Sequence, residues 1–97
     1  MVDVTATENW VIKKTYEKDG MIVIVEWECQ RTTNGYMLPY GGESKVNVPV
    51  GSSSDAVVEA IMLDIGPSQL EEMRNNNSEY ALYLQMKEQA TVVDYTV

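Results

Sequence analysis

Ninety-seven residues suffice for one domain with a modest core and are too few for two. Hydrophobic residues make up 44% of the chain, which excludes wholesale disorder, and no apolar run approaches the ~20 residues of a membrane span. Fifteen acidic residues against seven basic ones give a net charge of −8 with no His, a balance that repels phosphate backbones and argues against nucleic-acid binding.

Three readings of the acidity remain: solubility, complementarity to a basic protein, and mimicry of nucleic acid by an inhibitor. The acids are scattered, with only Glu71-Glu72 adjacent in the helical half, and this favours solubility. The opening MVDVTATENW has neither the basic start nor the apolar segment of a signal peptide. Cys29 is the single cysteine, so no internal disulfide and no cysteine-based metal site is expected. A reducing cytosol is the expected place of synthesis.

The first element is a hairpin around Asp19-Gly20, a two-residue type I′ signal. Its register pairs Lys18 with Met21, Tyr16 with Val23, Lys14 with Val25, Ile12 with Trp27 and Trp10 with Cys29. That gathers Trp10, Ile12, Tyr16, Val23, Val25 and Trp27 on one face, with Lys13 opposite Glu26 on the other. The second turn, Asn34-Gly35, pairs Thr33 with Tyr36, Arg31 with Leu38 and Cys29 with Tyr40, adding Tyr36, Leu38 and Tyr40 to the apolar layer. Pro39 suits an edge strand or a strand end. Gly41-Gly42 lets the chain bend, and KVNVPV, with Val46, Val48 and Val50 alternating against polar residues, reads as a fourth strand.

GSSSD (residues 51–55) closes the β half. Ser52 with Asp55 resembles a capping box, and Ser54 or Asp55 equally suits the N-cap. AVVEAIMLDI then carries a helical stripe at 57, 58, 61, 62 and 65, ended by Gly66 and Pro67. Ser68 and Glu71 form a second box, opening a helix with the stripe Leu70, Met73, Tyr80, Leu84 and with Asn77 in the slot between. NNNS (75–78) is poor helix material and marks a kink or restart at Ser78. VVDYTV reads as a tail or as a fifth strand. The expectation is a single α+β domain over 1–97, an antiparallel β-meander of three to four strands packed against two C-terminal helices, with a β half at 9–50 and a helical half at 54–90.

Chemistry finds little purchase in this pattern. No His is present for acid–base work, and Cys29 points into the aromatic layer as a small inert hydrophobe. Ser52 to Ser54 lack a base beside them, the carboxylate spacings match no calcium loop, and YGGE lacks the length and Lys of a phosphate loop. No catalytic, cofactor or metal residue is expected, and the chain reads as non-enzymatic. Contact surfaces are the alternative. Val11, Ile22 and Ile24 gather on the outer sheet face, Tyr36 and Met37 flank the second turn, and the Tyr83–Met86 side of the second helix is a third candidate. A homo-oligomer or a protein partner would cover them.

The stretch WVIKK…KDGMIVIVEW, followed by TNGY, a Gly-Gly turn and two short helices, resembles a set of small proteins from tailed bacteriophages. The likeness rests on Trp10, Asp19, Gly20, Val25 and Trp27 and covers residues 10 to 84, while Met62 and Leu63 stand where that pattern has an aromatic. It implies a phage-encoded protein, in the virion or the host cytoplasm, and carries over no activity and no functional residues. Two expectations follow: a structural or virion-associated protein making protein–protein contacts in a particle, or a small acidic inhibitor that occludes a host protein.

Overall fold

The computed structural model describes residues 5–94, with side-chain surroundings through residue 88. Three strands run β1 (Ala6–Lys18), β2 (Met21–Thr33) and β3 (Tyr36–Pro49), followed by α1 (Ser54–Ile65) and α2 (Pro67–Asp94). The sheet is an antiparallel meander in the order β1-β2-β3. The fold is α+β. Asp19 and Gly20 at one turn, and Asn34 and Gly35 at the other, all have positive φ, as type I′ turns require.

The ends of the first hairpin hold the expected register: Lys18 with Met21, Ile12 with Trp27, Trp10 with Cys29. Its middle is displaced by one residue, pairing Tyr16 with Ile24 and Lys14 with Glu26. Two bulges that compensate each other cause this, one at Val23 in β2 and one at Lys13 in β1. Tyr16 is therefore turned to the outer face, where its hydroxyl reaches Glu26 Oε2 at 3.4 Å, and Lys14 replaces Lys13 opposite Glu26. The bulge also brings Ile22 inward. Ile22 and Val25, three positions apart, share the core face, which an unbroken period of two forbids.

KVNVPV is no fourth strand. It continues β3, whose 14 residues pass straight through Gly41-Gly42. The reason is Trp27, opposite Gly42: a Cβ on Gly42 would sit 3.5 Å from the indole, and one on Gly41 would sit 2.6 Å from the Trp27 carbonyl oxygen. The glycines let the ring and backbone approach; they do not bend the chain. Gly41→Ala is expected to cost about 1–3 kcal/mol, because backbone must move to admit the methyl group. Urea midpoints check it, and an unchanged midpoint would contradict the close approach.

Ser53 is the N-cap of α1, its hydroxyl accepting the Ala56 N–H at 3.2 Å, where Ser52, Ser54 or Asp55 was expected to cap. Gly66 alone joins the helices. Its N–H donates to the Met62 carbonyl at 3.0 Å and its own carbonyl accepts the Leu70 N–H at 2.9 Å, so it ends α1 and starts α2. Val57 and Ile61 of α1 complete a buried cluster with Ile22, Val25, Trp27 and Cys29, flanked by Trp10, Ile12, Tyr40, Val46, Val48, Ile65 and Met73.

α2 is continuous through NNNS and runs on to Asp94, so Val92 and Val93 are helical; Tyr95 to Val97 lie outside the described residues. Its contact line is polar as well as apolar. Asn77 Nδ2 donates to the Leu38 carbonyl at 3.0 Å, and Ser78 Oγ lies 3.1 Å from both Arg31 Nε and Thr33 Oγ1. These bonds to the sheet offset the weak helix propensity of the segment. Buried Ala81, not Tyr80, follows them on the core side. The molecule is long, 65 × 25 × 17 Å, with a radius of gyration of 17.2 Å against about 13 Å for a compact chain of this size.

Candidate functional site

The strands bring Glu8, Arg31 and Tyr40 side by side across the sheet, beneath Arg74 of α2. Glu8 Oε2 accepts from Arg31 Nη1 at 2.7 Å, from Arg74 Nε at 3.0 Å and from the Tyr40 hydroxyl at 3.2 Å. Glu8 Oε1 accepts from Arg74 Nη2 at 2.7 Å. Burial raises the carboxyl, but the hydrogen bonds and charges of Arg74 and Arg31 outweigh it and hold Glu8 below its ordinary value. The hydrogen bond to Glu8 in turn raises Arg74. One carboxylate thus joins all three strands to α2. Sequence reading missed Glu8 and Arg74, since pairing across 66 positions leaves no local signal; the i, i+2 alternation of Glu8 with Trp10 was the one available hint.

Cys29 lies under this cluster, fully buried, and burial pushes its thiol up to about 11. The neighbouring Tyr40 hydroxyl is also raised, first by burial and then by Cys29. A protonated and enclosed thiol is a poor nucleophile. Alkylation of the folded protein at neutral pH should leave Cys29 unmodified, as mass spectrometry would show, with labelling appearing only in denaturant. Rapid native labelling would place Cys29 at a reactive surface instead. Among the described residues, no group of His, Cys, Asp or Glu is placed to hold a metal ion, and no helix is long and apolar enough to cross a membrane.

Of the five expected contact residues, one leaves the surface where it was expected. Ile22, 7% exposed, belongs to the core, because the Val23 bulge reverses its side. Val11 and Ile24 remain on the outer face, half-buried, but the Lys14–Glu26 row of the register separates them. That face is polar over most of its length: Glu26 stands opposite Glu43, Glu28 opposite Gly41, and Asn9 Nδ2 donates to Gln30 Oε1 at 3.0 Å. Tyr36 is half-buried opposite Thr33, while Met37, 50% exposed, faces out at the turn.

A more coherent surface lies on α2. With Leu70, Asn77, Ser78 and Ala81 turned to the sheet, the helical period sets Tyr83 and Met86 on the opposite side, 56% and 67% exposed. Tyr80, expected in the core stripe, is 54% exposed on the flank of this face, its ring 6.1 Å from that of Tyr83. Gln85 Nε2 lies 3.4 Å from the Asn34 carbonyl at the second turn, so the patch stands where α2 reaches the end of the sheet. A separate shallow depression of about 480 Å³ between β3 and α1 is lined by Lys45, Val46, Asn47, Ala60, Leu63 and Asp64. Compared with protein-family models, with curated proteins and with solved structures, the chain matches none of them.

Proposed function

We propose that the chain is a non-enzymatic phage structural or virion-associated protein that makes protein–protein contacts in a particle, in the virion or the host cytoplasm. The observation that carries this reading is the patch of Tyr80, Tyr83 and Met86, left in solvent on a helix that the Glu8 cluster fastens to the sheet. Aromatic and thioether side chains are enriched at interface cores, and a rigid platform lowers the ordering cost of contact. The elongated shape leaves much of a small chain's surface for neighbours. The test is co-sedimentation of the chain with particles from infected cells. Tyr83→Glu with Met86→Glu should release it from particles without altering its circular dichroism. A wild-type chain that stays in the supernatant would overturn the reading.

One observation favours the second function, an acidic inhibitor that occludes a host protein. Glu26 directly faces Glu43 on the outer sheet, with Glu28 on the same side. Like charges placed opposite each other cost stability, and a basic surface laid over them would relieve it. That function predicts early capture of a basic host protein, lost in Glu26→Gln with Glu43→Gln, and no chain in particles.

A further inference from the structure

Among the described residues the sheet has two free edges, and they are protected unequally. Lys45 N–H points away from β2, to Asp64 Oδ2 at 3.1 Å, so alternation turns the backbone of Met37, Pro39, Gly41 and Glu43 to the same free side. Pro39 has no N–H to offer there, and that of Lys45 is already taken. On β1, the Asn34 N–H donates to the Thr5 carbonyl at 2.9 Å, which aligns Thr5, Thr7, Asn9 and Val11 with β2. The backbone groups of Ala6, Glu8, Trp10 and Ile12 therefore face outward. Beyond them the edge is guarded by the Lys13 bulge and by Lys14 and Lys18, the usual devices against strand addition.

Among the described residues, Ala6–Ile12 is thus an open edge, without Pro, Lys or bulge. Its one charged side chain, Glu8, is already neutralised by Arg31 and Arg74. Trp10 and Ile12 are only half-buried along it.

We propose that this edge pairs antiparallel with the same edge of a second copy, merging two three-stranded sheets into one. Only outward-facing residues can exchange hydrogen bonds, so the register must pair even positions with even positions. Centring on Asn9 sets Ala6 opposite Ile12 and Glu8 opposite Trp10 of the second copy, and uses all four outward residues. A shift by one pair toward the N-terminus would bring the two Glu8 carboxylates face to face; a shift the other way brings Lys14 against Ala6. The centred register covers Trp10 and Ile12 and opposes no like charges. Both helical layers stay on one side, leaving Tyr80, Tyr83 and Met86 free. The inference goes beyond the assembly reading, since it turns on contact between two copies in the absence of any particle.

Sedimentation of the purified chain from micromolar to millimolar concentration tests it, together with cross-linking. The chain should dimerise, and more tightly as salt rises, because the net charge of −8 on each copy is then screened. Asn9, on the two-fold axis, forms a non-hydrogen-bonded pair with itself, where Cβ atoms come within about 4.5–5.5 Å. Asn9→Cys should therefore give a disulfide-linked dimer under mild copper-phenanthroline oxidation, whereas Asn47→Cys on β3 should not. Ala6→Pro, which removes an outward N–H from both copies, should raise the dissociation constant about tenfold or more, with circular dichroism unchanged. A chain that stays monomeric over the whole range overturns the proposal. So does a dimer that Asn9→Cys fails to cross-link.

Discussion

Trp27→Ala is expected to destabilise the fold by about 3–5 kcal/mol, the range of large aromatic truncations in cores. Trp27 is buried at the centre of the middle strand, its ring centroid 5.0 Å from that of Trp10 and 6.0 Å from that of Tyr40. Its indole also covers Gly42, where the backbone contributes no side chain of its own. Truncation would open a cavity between sheet and helices and leave the buried Ser44 hydroxyl without its donor, Trp27 Nε1 at 3.0 Å. Trp27→Phe separates the two losses: it keeps most of the ring and removes the N–H, and should cost about 1–2 kcal/mol. Urea denaturation measures both as midpoint shifts at constant slope. A loss under about 1 kcal/mol for Trp27→Ala would show that this ring does not anchor the core.

Glu8→Ala should cost nearly as much, about 3 kcal/mol, because it leaves two guanidinium groups facing each other across the sheet–helix layer with no anion between them. The estimate sits at the low end for a broken buried ion cluster, since Arg74 remains about a third exposed to water. The same carboxylate makes stability depend on acidity. Glu8 is held below its ordinary value in the folded state, so its contribution is fully present above that ordinary value and disappears as pH falls through the lower folded one. Acid should loosen α2 first, and amide exchange over Arg74 to Ala81 should rise before exchange in β2. Glu8→Gln removes the titrating group while keeping its shape, and should flatten this part of the pH–stability profile. If Glu8→Gln retained the full acid transition, another carboxylate would have to be responsible.

Both predictions rest on residues that the sequence revealed unequally. Trp27 was legible because alternation in β2 and a two-residue turn fix its side and its partners, and both are local properties of the chain. Glu8 was not. It lies at the start of the first strand, outside any motif, and acquires its role only when Arg31 and Arg74 arrive from remote positions. Tyr80 shows the same limit from the other side. A helical stripe by hydrophobicity alone assigns it to the core, whereas the sheet beneath that part of α2 presents Arg31 and Thr33 and selects Ser78 and Ala81, beside the Asn77 that the stripe already held.

The sequence by itself determined the two hairpin turns, the meander, the helical break at Gly66 and the burial of Cys29. Each follows from backbone preferences or from a period repeated over a few neighbouring residues. Only the tertiary structure decided the paired bulges that carry Ile22 inward and Tyr16 outward, the straight passage of β3 through Gly41-Gly42, and the polar cluster that holds α2. A bulge costs one residue of register and changes no composition, so an alternating pattern does not reveal it. Two glycines read equally as a bend or as room for a ring until the position of Trp27 is known. An ion cluster is stabilised by groups that meet only after the chain has folded, and its residues therefore leave no signature along the chain.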